Sequence, residues 1–193
     1  MGTGEPLDNY EQLVRFLRLI SSEQGIHISQ RNLTVSTCGL VPEMYRLAEE
    51  KLQITLALSL HAPNDEKRQA LMPIASRYPL REVLAACGNY FEKTGRRITF
   101  EYALAAGEND GGKDAEELAG LLKGYNCHVN LIPINPVKER QFRRSGKKMV
   151  LDFQNKLEKC GINVTIRREM GGDIDGACGQ LRKRFIDNQE KNL

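Results

Sequence analysis

The chain has 193 residues, 40% hydrophobic and 27% charged, with a formal net charge of +3, proportions that describe a soluble globular protein of one domain or most of a larger one. No uncharged run reaches the roughly 20 residues of a membrane helix, and no basic-then-apolar leader opens the sequence. The five cysteines, Cys38, Cys87, Cys127, Cys160 and Cys178, are odd in number, far apart and form no CxxC or CxxxCxxC group; the sequence itself therefore shows no zinc or iron–sulfur site, and a reducing cytoplasm is the expected setting.

Met1–Pro6 reads as a turn. Asp8 with Glu11 forms a capping-box pattern, and Leu13, Phe16, Leu17 and Ile20 make one helical stripe that ends at Gly25. Asn32–Cys38 alternates in character and is closed by Gly39, which predicts a strand. A short helix over about Glu43–Lys51 leads to a strand over Gln53–His61. In that strand Ile54, Leu56, Leu58 and Leu60 share one face, and Thr55, Ala57, Ser59 and His61 share the other. The first set suits packing under helices; the second suits a crowded or ligand-lined interior.

The pattern then repeats. Leu80, Val83, Leu84, Cys87 and Phe91 form a helical stripe before a strand over Arg97–Leu104, and Ala115, Leu118, Ala119 and Leu122 form another before a strand over His128–Ile134. Ser145 is a candidate cap for a helix with Met149, Val150, Phe153 and Leu157 on its apolar side, ending at Gly161; a strand over Asn163–Arg168 follows. Alternating strands and helices predict an α/β fold with a parallel sheet, open or barrel-like. Ligands in such folds sit beyond the C-terminal strand ends. The polar residues collected there are Gly4, Glu5, Ser36, Ser59, His61, Asn109, Asp110 and Asn135, and Glu101 shares the parity of an inward-facing position, where it needs a partner.

Two features near the C-terminus complete the reading. Cys178 lies between Ala177 and Gly179, so nothing bulky shields its sulfur; it is either a thiolate nucleophile or a small inert buried cysteine. Lys138, Arg140, Arg143, Arg144, Lys147 and Lys148 fall within eleven residues, followed by Arg167 and Arg168 and by Arg182, Lys183 and Arg184. Such runs are either solvated surface or the footprint of a polyanion such as RNA. With no Trp, the chain offers no evident stacking platform for single strands.

Gly2-Thr-Gly-Glu-Pro6, Val35-Ser-Thr-Cys-Gly39, Leu58-Ser-Leu-His-Ala-Pro-Asn-Asp65, Phe100-Glu-Tyr102, Leu131-Ile-Pro-Ile-Asn-Pro136 and Asp173-Ile-Asp-Gly-Ala-Cys-Gly-Gln-Leu181 occur in this order. Together they resemble the RlmN branch of the radical S-adenosylmethionine (SAM) RNA methyltransferases, whose sister branch is Cfr. The resemblance covers essentially the whole chain. It implies a partial (β/α) TIM-like barrel and methylation of carbon 2 of an adenine in 23S rRNA, in some members also in tRNA. It further implies SAM, a 4Fe-4S cluster and a reducing electron donor. Cys178 matches the cysteine that takes a methyl group from SAM, is activated as a carbon radical, and finally releases the product through a transient disulfide with a second cysteine. Gly4, Glu5, Ser36, Ser59, Leu60, His61 and Asn135 match the cofactor-contact positions.

The family's CxxxCxxC segment precedes the position of Gly4-Glu5 and is absent from these residues. Residues 1–193 are therefore expected to be the C-terminal part of such an enzyme, with a C-terminal extension over about 169–193 carrying the cysteine loop. The first barrel strands are expected to be missing and the isolated chain inactive, and a full-length form is expected to be a monomer. The competing expectations are a non-catalytic RNA-binding remnant and Cfr-like methylation of carbon 8.

Overall fold

The structure, a computed structural model, describes residues 4–134 and 142–167. Five strands, β1 (Thr34–Thr37), β2 (Thr55–Ser59), β3 (Ile98–Leu104), β4 (Cys127–Pro133) and β5 (Asn163–Ile166), form one sheet in the order β1-β2-β3-β4-β5. Every neighbouring pair is parallel. Six α-helices among the described residues accompany them: α1 (Tyr10–Ser21), α2 (Val41–Glu49), α3 (Asp65–Leu71), α4 (Leu80–Thr94), α5 (Gly112–Leu121) and α6 (Lys147–Lys159). Strands laid down in chain order mean that every crossover steps the same way across the sheet. Since such crossovers are right-handed, the connecting helices share one face. That is the winding of a (β/α) barrel and not of a doubly wound sheet, in which the order reverses. The α/β, partial-barrel architecture is the one expected.

Alternation along the strands divides large apolar from small polar residues. Ile54, Leu56, Leu58 and Leu60 are fully buried, as are Phe100, Tyr102 and Leu104 on β3 and Val129 and Leu131 on β4. They join one core with Met44 and Leu47 of α2, Val83 and Cys87 of α4, Leu118 of α5, and Phe153 and Leu157 of α6. The Tyr102 ring lies 5.3 Å from that of Phe153, and its hydroxyl donates to the Asn109 carbonyl at 2.9 Å. Each fully buried Leu, Ile or Phe stabilises the fold by roughly 1.5–3 kcal/mol. The opposite face carries Ser36, Ala57, Ser59, Thr99, Glu101, His128 and Asn130. No helix among the described residues is long and apolar enough to cross a membrane.

Three local expectations are corrected. Asp8 and Glu11 make no capping box: Pro6–Asn9 forms a short 3-10 turn capped by Glu5, and α1 starts at Tyr10 without a side-chain cap. Ser145 does not cap α6, whose N-cap is Gly146. Arg144 pairs as an isolated antiparallel bridge with Ala105, and Ser145 is turned inward, 3% exposed, with its hydroxyl unpartnered. Helix α3 adds about two turns of helix with no predicted counterpart. Its signal is local: Asn64 Oδ1 accepts from the Lys67 N–H at 3.0 Å, and Asp65 and Glu66 occupy the first turn.

Gly39 closes β1 with φ +102, and a Cβ there would meet Val83 Cγ1 at 3.2 Å, Leu58 Cδ1 at 3.3 Å and Arg68 Nη2 at 3.4 Å. Gly95, the C-cap of α4 with φ +67, has open space around it. Gly95→Ala is expected to cost about 1 kcal/mol from backbone alone, and Gly39→Ala at least twice that because the neighbours must also move. Urea unfolding of the two variants checks the order; equal losses would show that the packing at Gly39 gives way freely.

Candidate functional site

The C-terminal ends of β1, β2 and β3 bring most of the predicted residues together. Glu5 reaches β1 from the preceding turn. Its Oε1 accepts from the Leu7 N–H at 3.1 Å and its Oε2 from the Cys38 N–H at 2.8 Å. Gly4 stands beside it at φ +125 with open space where a side chain would be, a backbone conformation that few residues other than glycine adopt. On β1, Ser36 donates its hydroxyl to Glu101 Oε2 at 2.7 Å, which supplies the partner that an inward Glu101 requires. Ser59 lies directly across from Glu101 in the β2–β3 register, and Asn130 lies on its other side.

Leu60 and His61 are tied to the same residue through backbone. Both N–H groups donate to the Glu101 carbonyl, at 2.9 and 3.3 Å. The Leu60 side chain is fully buried in the core, so only its backbone is available to a ligand. His61 has φ 58, an uncommon conformation for a non-glycine residue. Two contacts hold it there: its Nδ1 accepts from the Ala103 N–H at 3.0 Å, and its carbonyl accepts from Asn109 Nδ2 at 2.7 Å. An imidazole accepting at Nδ1 carries its proton on Nε2. Enclosure first, and the Arg68 charge second, lower the His61 pKa to about 4. His61 is thus a neutral hydrogen-bond donor near pH 7, suited to fixing a ligand and unsuited to shuttling protons.

Asn109, also predicted at the rim, is consumed by structure. Its Nδ2 bonds the carbonyls of His61 and Ala103, and its Oδ1 accepts from the Ala105 N–H at 2.8 Å. Asp110 accepts from the Gly107 N–H at 2.9 Å and serves that turn. Asn135 and Cys178 lie outside the described residues.

Arg68 was not legible as part of the site. It is fully buried, and its Nη2 donates to the carbonyls of Cys38 at 2.8 Å and Ser59 at 3.4 Å while Nη1 reaches the Tyr78 carbonyl at 3.3 Å. It fastens the ends of β1 and β2 together from beneath. Burial pushes its pKa down.

The thiols here are not activated. Cys38 is pushed up to about 12 by burial and then by Glu5, and Cys87 to about 12 by burial; a thiol so raised is a poor nucleophile. No group of three His, Cys, Asp or Glu among the described residues is placed to hold a metal ion, so these residues do not fit an iron–sulfur cluster. A separate cavity of about 450 Å³, lined by Arg97, His128, Glu158 and Thr165 among others, lies towards the opposite strand ends and contains none of the predicted residues.

What the strand-end group can do is bind. Two carboxylates, two serine hydroxyls and one fixed imidazole donor fit a ligand rich in donors, with cationic and hydroxyl groups.

Residues 1–122 match the radical SAM superfamily. The chain is 58% identical over 192 residues to the "Probable dual-specificity RNA methyltransferase RlmN" of Lachnospira eligens, covering all of this chain and 55% of that protein. It is 62% identical over 196 residues to the protein of the same name from Lachnoclostridium phytofermentans, with the same coverage. The chain thus spans about 55% of the length of these curated relatives. A radical SAM methyltransferase from Sphaerobacter thermophilus superposes with a TM-score of 0.89 at 50% identity, over 93% of this chain and 53% of that one. A domain of the pyruvate-formate lyase-activating enzyme from Bacteroides vulgatus shares the fold, with a TM-score of 0.64 at 17% identity, over 86% of this chain and 96% of that one.

The fixed His61 tautomer has a measurable consequence. The folded pKa of about 4 lies below the ordinary 6.5, so the unfolded chain binds the proton first as pH falls. Stability from this group is complete above pH 6.5 and is lost as pH drops towards 4, by up to roughly 3 kcal/mol. His61→Asn tolerates the same backbone and offers an acceptor to Ala103. The variant is expected to flatten that part of the stability profile measured by urea unfolding at each pH, leaving the smaller contribution of His128, whose pKa is lowered by burial.

Proposed function

We propose, on the premise that this chain belongs to the radical SAM superfamily, that it forms the SAM-binding part of an RlmN-type methyltransferase acting on adenine in RNA. The observation that carries this reading is the grouping of Ser36, Ser59 and His61, at or near the C-terminal ends of β1 and β2, around Glu101 in the middle of β3: Ser36 bonds its carboxylate, Ser59 lies across from it in register and the His61 N–H bonds its carbonyl. These are positions where an α/β barrel presents its ligand, and the relatives that carry the RNA methyltransferase name match along the entire chain.

Within this reading each residue has a task set by its chemistry. The Glu5 carboxylate, held by two backbone N–H groups, retains lone pairs for the ammonium of the methionyl part. The open backbone at Gly4 lets that group approach. His61 donates from Nε2 to an acceptor on the ligand, and Leu60 contributes backbone. Asn135 completes the set from outside the described residues.

Cys178 is the methyl acceptor. Its thiolate attacks the sulfonium methyl; a sulfur–carbon bond forms at Cys178, the bond to the sulfonium breaks, and neutral S-adenosylhomocysteine leaves with the electron pair. Carbon 2 of adenine is electrophilic and has no lone pair to attack a sulfonium directly, which is why a carried methyl group is needed. The substrate is an adenine of 23S rRNA, and of tRNA as a second substrate, in the cytoplasm. A 4Fe-4S cluster with an electron donor, which the described residues do not hold, would supply the reductive cleavage of SAM in this chemistry; the described residues would contribute binding.

One observation favours a second reading. Arg143, shortly before α6, and Lys147 and Lys148 in its first turn are exposed, as a phosphate-binding strip would be. A chain that only binds RNA would use them without Cys178.

A chimera separates the readings: residues 1–193 replace the matching segment of the Lachnospira eligens relative, and the modified base in 23S rRNA is identified by mass spectrometry. Methylation at carbon 2 is expected, with loss of at least 100-fold on Cys178→Ala. Methylation at carbon 8 instead would assign Cfr-like chemistry. RNA binding without any methylation by a folded chimera would sink the enzymatic reading and favour the RNA-binding one.

A further inference from the structure

The start of α6 breaks a rule that the other α-helices keep. Glu11, Glu43, Asp65 with Glu66, Glu82 and Asp114 stand in the first turns of α1 to α5, whereas α6 has no acid there. Its first two residues are Lys147 and Lys148, both exposed, and its N-cap Gly146 makes no side-chain cap. Cations at the positive end of a helix are disfavoured by the dipole, and the first N–H groups lack intrahelical acceptors. Arg143 adds a third exposed cation within the same six residues, and no acid lies between Phe142 and Lys148. None of the ion pairs found among the described residues includes Arg143, Lys147 or Lys148.

This segment is fastened to the ligand end of the sheet. The Ala106 N–H donates to the Arg143 carbonyl at 2.8 Å, and Ala105 bridges Arg144. Both alanines directly follow the last residue of β3. Ala103, whose N–H holds His61 Nδ1, precedes Ala106 by three residues, about 10 Å of chain. The local cap is given up for this placement: Ser145 is buried and its hydroxyl unpartnered.

We infer that Arg143, Lys147 and Lys148 grip the phosphate backbone of the RNA next to the base being modified, which makes this segment part of the ligand end of the barrel. The inference rests on the reading of RNA as substrate given above and assigns the surface that holds it. Met149 and Leu151, 43% and 52% exposed, add apolar surface beside the cations, which suits the faces of bases and is of no use to a bare inorganic anion. A membrane surface fits less well. The side of α6 carrying Val150, Phe153 and Leu157 is spent in the core, and Met149 and Leu151 stand about 200° apart around the helix, so the two cannot enter one lipid plane. Contacts of this kind fix register without reading sequence, leaving the choice of base to the strand-end site.

The test is fluorescence anisotropy of a labelled single-stranded RNA of mixed sequence, titrated with the 193-residue chain at salt concentrations from about 50 to about 200 mM. Three proteins are compared: wild type, the triple variant Arg143→Gln/Lys147→Gln/Lys148→Gln, and a control, Arg15→Gln/Arg31→Gln/Lys123→Gln, whose cations are also exposed but lie elsewhere. The first triple variant is expected to bind roughly 10-fold more weakly at the lowest salt, with a plot of log affinity against log salt shallower by about 2. The control should stay within about twofold of wild type. Equal affinity and slope in the first variant and wild type overturn the inference. Equal losses in the two variants overturn it too, because net charge alone would then be responsible. Glutamine at positions 147 and 148 relieves the helix dipole, so the variant is expected to fold; should it not, Arg143→Gln alone decides, a slope change of about 0.7 supporting the inference and none overturning it. Vesicles of phosphatidylcholine with phosphatidylserine are the second probe: binding to them through these three residues, with none to RNA, overturns the assignment. Failure of the folded wild type to bind the RNA also overturns it, and leaves the methyltransferase reading to be judged by the base that the chimera modifies.

Discussion

A parallel sheet laid down in chain order can cover only one of its faces with its own connections. Right-handed crossovers that all step in the same direction place every connecting helix on the same side, and the other site features follow from that. Residues of one parity, such as Leu56 and Leu58, must be large and apolar because they meet α2 and α4. Residues of the other parity meet none of the connecting helices among the described residues and are free to be Ser36, Ser59 and Glu101. The polar face is therefore no breach of the core. It is the face the topology leaves for a ligand, and the alternation along β2 is its record in the sequence.

Such a face needs its strand ends fixed, because the N–H and C=O groups there have no further ladder to join. Arg68 meets part of that need. A guanidinium carries five donors in a rigid fork, and here it spans the carbonyls of Cys38 and Ser59 on two adjacent strands and that of Tyr78 beyond them. Its charge faces carbonyl dipoles, and the Asp65 carboxylate acts favourably on it. Burying an ion is expensive, and the neighbouring Gly39 leaves just enough room for it. The arrangement is costly in folding terms and consistent with a site whose geometry must not drift.

The sequence foreshadows the parts of this arrangement that depend on short-range pattern. Strand alternation placed Ser36, Ser59 and His61 near strand ends and Glu101 inward, and the fold bears out each position. What pattern could not reveal depends on partners far along the chain. The His61 tautomer is set by Ala103, 42 residues later, and its left-handed backbone by the neighbouring end of β3. Arg68 falls in a stretch for which the sequence offered no element, and only the tertiary structure turns it inward. Ser145 misled for the same reason: a bridge from Arg144 to Ala105 outranks the local capping preference. Asn135 and Cys178, where the family resemblance locates further function, lie outside the described residues.

The electrostatics of the described site also divide labour. Groups that could react are held back: burial raises Cys38 and Cys87 far above the range of a useful thiolate, and His61 has lost its proton well before neutral pH. The half-buried carboxylates are held instead by neutral donors, Glu5 by the Leu7 and Cys38 N–H groups and Glu101 by the Ser36 hydroxyl, and both keep acceptor capacity. On the SAM-binding function proposed above, this division protects the cofactor, because an activated thiol beside the sulfonium at all times would be methylated without control.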